Sequence, residues 1–307
     1  MIRLVCALVC VGTALAGCSE AREEPRAAGE PAAPPARTPT DTLRIGFVYK
    51  QGAPRDTEVM RTVYGVRLGV EEAQHAAAMF GRAVEWFHDD DPERLVAERR
   101  VHALVGGFGE EQCRKVAEVA QRRSVLYLNV ACTSDALRGD ACNRFAFHVA
   151  PSEAMLADAA RAAGVEGGRA AAWHDSLERF GAGQLRDRFR ARWGDSLEVV
   201  GSQGWVGWFG VKVLWESTLR ARTAEASALV SYLERPSTQF DGHKGRPLSF
   251  RSWDHQLRQP LYVVSPSGDV VEVPAAAPGS EEGSRELLDR LGTTRAETAC
   301  RMASAGG

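Results

Sequence analysis

A glycine-rich segment, Gly106-Gly-Phe-Gly109, lies between a predicted strand and a predicted helix. Main-chain amides at such a turn, together with the positive end of a helix dipole, can hold an anion. Glu110 and Glu111 follow directly, however, and their negative charges would repel a phosphate. The glycines also lack the spacing of a dinucleotide fingerprint, and no lysine of a phosphate-cradling loop follows them. The segment therefore argues against a nucleotide site.

Residue types that bind metals occur at two other places. His88-Asp-Asp-Asp91 ends a predicted strand, but consecutive carboxylates cannot all face one ion without an unusual turn. Asp91 followed by Pro92 is more typical of a capped helix start. His243 and His255 lie twelve residues apart, without paired cysteines or the spacing of a helical zinc motif. We therefore predict no metal site.

Nucleophilic catalysis lacks its usual partners. Cys132 has His148 as the nearest histidine in sequence, but that histidine lies between Phe and Val, as is typical of a structural position. No nucleophile elbow and no acid and base pair at a motif spacing occur. Thr133 and Ser134 have a plain structural interpretation, in which either one caps the short helix that Asp135 begins. The sequence predicts a protein that is not an enzyme and that needs no cofactor.

A predicted helix over residues 205–220 places tryptophans on one face, namely Trp205, Trp208 and Trp215, together with Lys212. One interpretation is ordinary core packing. The other is an aromatic wall of a ligand cleft, since an indole ring offers apolar area and one N–H donor. Trp173, His174 and Phe180 would extend such a wall.

The cysteines indicate an oxidising compartment. Seven are present, of which Cys6, Cys10 and Cys18 lie near the N-terminus and Cys113, Cys132, Cys142 and Cys300 lie in the body of the chain. One or two disulfides are expected among these last four, which allow three complete pairings. A bridge between Cys132 and Cys142 and a bridge between Cys142 and Cys300 are equally compatible with the sequence.

The N-terminus indicates export. Arg3 precedes an apolar run over residues 4–16 that is too short to span a bilayer, as is typical of a signal peptide over residues 1–17. The run ends in Leu-Ala-Gly-Cys18, which resembles a lipobox whose cysteine is lipidated. Residues 18–42 contain five prolines and are predicted to form a disordered tether. Ser19 after the lipidated cysteine favours, by resemblance to lipoprotein sorting, the outer membrane over the inner one. We expect a lipid-anchored periplasmic protein.

Strands and helices alternate through residues 43–150. Strands are predicted over residues 43–49, 84–87, 103–105 and 125–129, and helices with one apolar face over residues 58–80 and 111–121. This alternation predicts an α/β fold with a doubly wound parallel sheet. Ligands of such sheets bind beyond the carboxyl ends of the strands. The loops at that edge are residues 50–56, 88–91, 106–110 and 130–134.

Few parallel strands are visible in residues 151–301, and residues 302–307 form a tail. Helices are predicted over residues 152–163, 177–193, 205–220 and 224–234, followed by a β-hairpin over residues 260–264 and 270–273. The net charge of −2, with acids and bases interspersed, leaves no basic stripe for nucleic acid.

Several stretches resemble periplasmic solute-binding proteins. Residues 65–73, Gly-Val-Arg-Leu-Gly-Val-Glu-Glu-Ala, and Val105-Gly-Gly resemble the branched-chain amino-acid-binding class. Residues 128–142, 148–159 and 240–262 are more specific. They resemble the substrate-binding proteins of ABC transporters that accompany PQQ-dependent alcohol dehydrogenase systems. The resemblance covers most of residues 43–301.

This resemblance implies a type I periplasmic binding protein fold, in which lobes formed by residues 43–150 and 151–301 hold a small molecule for ABC permease and ATPase subunits. The expected ligand contacts are Tyr49, Phe108, Gly109, Ala131, Cys132, Thr133, Trp173, Trp205 and Trp208. Between Pro151 and Trp173, about 20 residues replace the elements that build most of the second lobe in family members. This shortened lobe supports a second hypothesis, in which the fold serves as a non-transport interaction or assembly lipoprotein.

Overall fold

The computed structural model describes residues 42–49, 57–194, 199–275 and 281–302. The predicted signal peptide, Cys18, the tether up to residue 41, loop 50–56 and residues 303–307 lie outside the described residues. Within the described ranges, no helix is both long enough and apolar enough to cross a membrane.

A five-stranded sheet forms the first half of the fold. Its strands lie in the order β2-β1-β3-β4-β5, and every neighbouring pair is parallel, so the predicted α/β fold with a doubly wound parallel sheet is confirmed. The strands are β1 (Thr42–Val48), β2 (Ala83–Asp89), β3 (Ala103–Gly106), β4 (Leu126–Asn129) and β5 (Ala146–His148). The inner strands β3 and β4 are buried along their whole length, as expected for apolar strands covered on both faces.

Three helices connect the first four strands: α1 (Thr57–Met79), α2 (Pro92–Ala97) and α3 (Glu110–Arg123). The predicted start of α2 is confirmed, because the Asp91 carboxylate accepts a hydrogen bond from the Glu93 amide and Pro92 occupies the first turn. Helix α3 follows Gly109, whose φ of 80° lies in the region that favours glycine. The predicted apolar face of α1 is buried through Val66, Val70, Ala73 and Ala77.

The chain after β5 adds two small antiparallel sheets and five helices among the described residues. One sheet has the order β11-β10-β6 and the other has the order β7-β8-β9. The elements are α4 (Glu153–Ala163), β6 (Arg169–Ala171), α5 (Ala182–Trp193), α6 (Gly201–Ala221), α7 (Ala226–Leu233), β7 (Phe240–Asp241), β8 (Pro247–Phe250), β9 (Leu257–Arg258), β10 (Leu261–Val264), β11 (Val270–Val273) and α8 (Glu281–Leu288). The predicted hairpin is confirmed as β10 and β11.

Some elements differ from the predictions. The sequence does not predict α8 or the strands β5, β6, β7, β8 and β9, because these strands have only two to four residues each and show no recognisable alternation. The helix predicted over residues 177–193 begins only at Ala182, after Gly181 with a φ of 89°. The helix predicted from Trp205 begins one turn earlier, at Gly201.

Two packing arrangements position the carboxyl edge of the large sheet. Helix α6 packs along α1 and contacts β3 and β4, so this late segment of the chain covers the large sheet. Helix α4 packs on β6, β10 and β11 instead. The first turns of α1 and α6 therefore meet the loops that follow β4, β5 and β6.

Candidate ligand-binding site

A cavity of about 310 Å³ lies where the ends of β4, β5 and β6 meet the first turns of α1 and α6. We call it the cleft cavity. Its wall includes three residues expected at the site from the sequence, namely Ala131, Thr133 and Trp173. It also includes Arg61 and Gln203, which the sequence analysis does not single out. The position beyond the carboxyl ends of parallel strands is the one at which doubly wound sheets bind ligands.

Trp173 brings an unpartnered donor to this cavity. The side chain is 2% exposed, and its indole N–H has no hydrogen-bond partner in the part of the chain that the structure describes. Its ring stacks on Trp205, with 6.1 Å between ring centroids and 10° between the planes. A buried N–H without an acceptor costs free energy, which an oxygen atom of a ligand would recover.

Arg61 brings a second donor. Its Nε is buried and has no hydrogen-bond partner among the described residues. The charged residues of the cavity wall are Glu58, Arg61 and Arg169, so positive charges outnumber negative ones. A guanidinium pairs best with a carboxylate or another oxyanion. The donors and the charge together favour a ligand with a carboxylate end.

Thr133 lies on the rim with its hydroxyl group already engaged. Its Oγ1 donates to the carboxylate of Glu153 at 3.4 Å, and its carbonyl oxygen accepts from the Glu153 amide at 2.8 Å. The alternative interpretation, a cap by Ser134, is wrong, because the 3-10 helix Asp135–Arg138 begins without a side-chain hydrogen bond from that residue. Thr133 instead joins the loop after β4 to α4.

The fully buried Arg138 holds the cavity wall in place. Its Nη1 donates to the carbonyl oxygens of Cys132 and Ser134 at 3.1 and 2.8 Å, and its Nη2 donates to that of Ala150 at 2.7 Å. Burial lowers the pKa of this guanidinium to about 10, which still leaves it charged at neutral pH. One cation thus ties the loop after β4 to the loop after β5.

His148 has the structural role that the sequence predicts. It is fully buried, and burial together with the charge of Arg138 holds its pKa well below the usual range. The neutral ring lies beside Asn129, with 3.1 Å between His148 Nδ1 and Asn129 Nδ2, so the ring nitrogen accepts from the amide. Asn129 Oδ1 in turn accepts from the amides of Ala131 and Cys132.

Three further candidates line a different cavity, of about 580 Å³, that we call the aromatic cavity. Tyr49, Phe108 and Gly109 lie in its wall, with 6.1 Å between the ring centroids of Tyr49 and Phe108. Glu110 and Glu111 also line it, as their place after the glycines requires. Six of the nine expected ligand contacts therefore line one of two separate cavities, three in each.

Trp205 and Trp208, which are also predicted as ligand contacts, line neither the cleft cavity nor the aromatic cavity. Trp205 is fully buried, and its indole N–H donates to the carbonyl oxygen of Gly242 at 2.9 Å. Trp208 is 1% exposed, and its indole N–H donates to the Glu72 carboxylate at 2.7 Å. Both N–H groups are satisfied within the protein, so the packing interpretation of this helix face holds.

The described cysteines form two disulfides. Cys113 pairs with Cys132, and Cys142 pairs with Cys300. The alternative bridge between Cys132 and Cys142 is therefore absent. The disulfide of Cys132 joins the loop after β4 to α3. Cys132 is 6% exposed and does not line the cleft cavity. The first disulfide stiffens one side of the candidate site.

The acidic stretch at the end of β2 is paired with Arg94 and Lys115. Arg94 Nη2 lies 2.6 Å from Asp89 Oδ1 and 3.0 Å from Asp90 Oδ1. Among residues 42–49, 57–194, 199–275 and 281–302, no three His, Cys, Asp or Glu side chains are grouped to hold a metal ion.

Comparison with known proteins supports the fold described above. The family model described as periplasmic binding protein matches residues 42–173, which include the large sheet, most of the cleft wall and Trp173. No curated protein sequence matches the chain significantly.

Solved structures show the same fold. A leucine-, isoleucine-, valine-, threonine- and alanine-binding protein from Brucella ovis is 11% identical with a TM-score of 0.66, covering 86% of this chain and 100% of that one. A periplasmic binding protein from Burkholderia mallei is 12% identical with a TM-score of 0.65, covering 85% and 98%. An ABC transporter solute-binding protein from Rhodopseudomonas palustris BisB5, in complex with 3,4-dihydroxybenzoic acid, is 10% identical with a TM-score of 0.61, covering 79% and 99%. The chain therefore has the type I periplasmic binding protein fold.

Proposed function

We propose that the chain is the periplasmic solute-binding component of an ABC import system and that its cleft cavity holds a small carboxylate. The observation that carries this proposal is the pair of buried, unpartnered donors, Trp173 Nε1 and Arg61 Nε, in one cavity at the ligand edge of the sheet. The indole N–H groups of Trp205 and Trp208, by contrast, are satisfied within the protein, whereas a ligand oxygen could satisfy those of the cleft cavity.

The size and lining of the cavity narrow the ligand class. A volume of about 310 Å³ is at the lower end of the range for small-molecule sites. Ala131, Val206 and the ring of Trp173 supply apolar surface beside the two donors. The 3,4-dihydroxybenzoic acid bound by the Rhodopseudomonas protein combines a carboxylate with an apolar ring, as this lining would require. Permease and ATPase subunits would be the transport partners.

The finer parts of the proposal concern anchoring and pathway. Lipidation of Cys18 would tether the domain to a membrane, with the outer membrane favoured by Ser19. The resemblance of residues 128–142, 148–159 and 240–262 links the protein to PQQ-dependent alcohol oxidation. Oxidation of a primary alcohol beyond its aldehyde gives a carboxylate, which is the ligand class that the donors of the cleft cavity favour.

The deciding experiment is a calorimetric titration of the purified full chain with 3,4-dihydroxybenzoate, benzoate, isoleucine and butyrate. Benzyl alcohol and butanol are the uncharged controls. We expect saturable binding of at least one carboxylate, with a much weaker response to the alcohol of the same skeleton. A folded protein that binds none of the carboxylates would instead support the interaction or assembly lipoprotein, which the small cavity also suits.

Anchoring has its own test. Cys18→Ser should move the protein from the detergent phase to the aqueous phase in a phase-separation assay of cells that express the full chain. Cys10→Ser, a change in the same leader, is the matched control and should leave the protein in the detergent phase. Equal partitioning of the wild type and the Cys18→Ser variant would contradict lipidation.

A further inference from the structure

A third pocket, of about 490 Å³, lies outside both cavities described so far. We call it the Phe180 pocket. Its wall contains Phe180, Phe240, Gly245, Arg246 and Pro247, and neither the cleft cavity nor the aromatic cavity shares a residue with it. Gln239 and Asp241 complete its lining.

Phe180 lines this pocket with an exposed ring and has a strained backbone conformation. Its φ is 57°, a conformation that bulky residues rarely adopt, and its side chain is 58% exposed. Apolar burial does not compensate the strain, because most of the ring faces solvent. Backbone strain of this kind concentrates at functional sites.

The surrounding residues fix the position of the ring. Gly245 lies beneath it, and a Cβ on that residue would come within 2.4 Å of the Phe180 ring. The carbonyl oxygen of Phe180 accepts a hydrogen bond from His243 Nδ1 at 3.1 Å. His243 is itself stacked on the buried Trp208, with 5.2 Å between ring centroids. These contacts connect the exposed Phe180 to the buried core.

Arg246 lines the same pocket and carries a buried donor. Its side chain is 7% exposed, and Nη2 is engaged by the Glu272 carboxylate and by the carbonyl oxygen of Pro274. Its Nη1 is buried and has no hydrogen-bond partner among the described residues. A guanidinium nitrogen in this state accommodates an oxygen acceptor, and a carboxylate oxygen forms the strongest such bond.

The charges around the pocket permit an anion. Arg179 lies 4.9 Å from the ring centroid of Phe180 and Arg220 lies 5.8 Å from that of Phe240. Asp241 is the carboxylate in the lining, and its Oδ1 already accepts from the His243 amide at 2.8 Å. Its side chain is 70% exposed, so water screens its charge.

We propose that the Phe180 pocket is a second ligand site, which binds a small molecule with a carboxylate on an apolar body. The carboxylate would accept from Arg246 Nη1, and the apolar body would lie against the ring of Phe180. This site stands on its own residues and does not depend on the function proposed for the cleft cavity.

The test uses benzoate as the probe and the full chain carrying Arg61→Met, which removes a donor of the cleft cavity but leaves the Phe180 pocket intact. Binding is followed by saturation-transfer NMR, with benzyl alcohol as the uncharged comparison. We expect saturable benzoate binding that Phe180→Asn weakens about tenfold, since the apolar contact is lost. Asn tolerates the left-handed backbone at this position, so the variant should fold.

Two further variants complete the design. Phe80→Asn changes a phenylalanine of nearly equal exposure, 59%, at the end of α1, and should leave benzoate binding unchanged. Arg246→Lys keeps a charge beside Glu272 but lacks the second guanidinium nitrogen, and should weaken benzoate binding without a matching loss for benzyl alcohol. Absence of benzoate binding in the Arg61→Met chain, or equal losses from Phe180→Asn and Phe80→Asn, would overturn the second site. Neither result bears on carboxylate binding by the wild-type cleft cavity.

Discussion

Gly65 of α1 and Gly204 of α6 meet so closely that a Cβ on Gly65 would lie 2.0 Å from the Gly204 carbonyl oxygen. The same contact continues one turn along both helices, where a Cβ on Gly69 would lie 2.9 Å from the carbonyl oxygen of Trp208. The neighbouring atoms are backbone and cannot rotate away. These glycines set the distance between two helices whose first turns form part of the cleft wall.

Gly65→Ala should therefore destabilise the protein by about 3 kcal/mol, because the helices must move apart to admit one methyl group. For a domain of this size that loss corresponds to roughly 6 to 12 °C in Tm. Gly183→Ala is the control, since its Cβ in α5 would make only an ordinary contact of 3.4 Å. Thermal melts should show no loss of stability for Gly183→Ala and, through the better helix propensity of Ala, a small gain. Equal Tm values for the two variants would show that α1 and α6 separate without cost.

The packing of α1 against α6 also shows which features cannot be predicted from the sequence. The alternation of strands and helices, the Asp91 cap and the β10–β11 hairpin depend on local patterns, and each is predictable from neighbouring residues. Arg61 and Gly201 lie 140 positions apart, yet the position of a Cβ on Gly201 is only 3.2 Å from Arg61 Cδ. No local pattern in the sequence indicates that they line the same cavity. The sequence does show that two charged residues, Glu58 and Arg61, lie on one face of α1.

The tryptophans of α6 illustrate a second limit. Their common helix face is visible in the sequence, but packing and a cleft wall give the same spacing. The difference depends on distant acceptors, since Glu72 of α1 engages the N–H of Trp208 and Gly242 engages that of Trp205. Trp173 lacks such an acceptor among the described residues, and only the structure shows this.

The two disulfides should contribute unequally to stability. Cys142 and Cys300 are 158 residues apart, whereas Cys113 and Cys132 are 19 residues apart. Because the entropy lost by the unfolded chain grows with loop length, replacing Cys142 and Cys300 by Ser should cost about 2 kcal/mol more than replacing Cys113 and Cys132. Urea denaturation without reductant measures both double variants. An equal or reversed order would mean that native contacts, and not loop entropy, decide the difference.

The pair of Glu234 with His255 predicts a pH-dependent contribution to stability. Glu234 Oε1 lies 3.1 Å from His255 Nε2, and Arg144 Nη2 lies 3.2 Å from Glu234 Oε2. Burial raises the pKa of Glu234, but the hydrogen bond and charge of His255 and the charge of Arg144 outweigh this effect, so the pKa lies below its ordinary value. A carboxyl group with a lowered pKa stabilises the folded state fully above its unfolded pKa and loses this effect as pH falls through the folded pKa.

Glu234→Gln should therefore lower Tm by a few degrees at pH 7, and the difference from the wild type should shrink towards pH 3, as the pH falls through the lowered pKa and the wild-type carboxyl group takes up a proton. Calorimetric melts at both pH values measure this. Glu282→Gln, at an exposed position of α8, should change Tm at neither pH. A Tm difference for Glu234→Gln that stayed constant from pH 7 to pH 3 would show that the carboxylate charge is not what stabilises the fold.

The two donors of the cleft cavity should differ in their effect on 3,4-dihydroxybenzoate binding. Arg61→Met removes a charged donor and should raise Kd by about 10- to 100-fold, because hydrogen bonds to charged groups contribute about 1.5 to 3 kcal/mol. Trp173→Phe keeps an aromatic ring against Trp205 but removes a neutral donor, and should raise Kd by about 3- to 10-fold. Calorimetric titration of each full-length variant gives both values.

Matched controls separate this effect from general loosening of the fold. Trp253 also has a buried indole N–H without a partner among the described residues, but it lies outside the cleft cavity, so Trp253→Phe should leave Kd unchanged. Arg67 lies two turns along α1 from that cavity and packs 4.8 Å from the ring centroid of Trp193, so Arg67→Met tests loss of a charge on the same helix. If the four variants weakened binding equally, the donors of the cleft cavity would not be what holds the carboxylate, and the ligand would have to bind elsewhere.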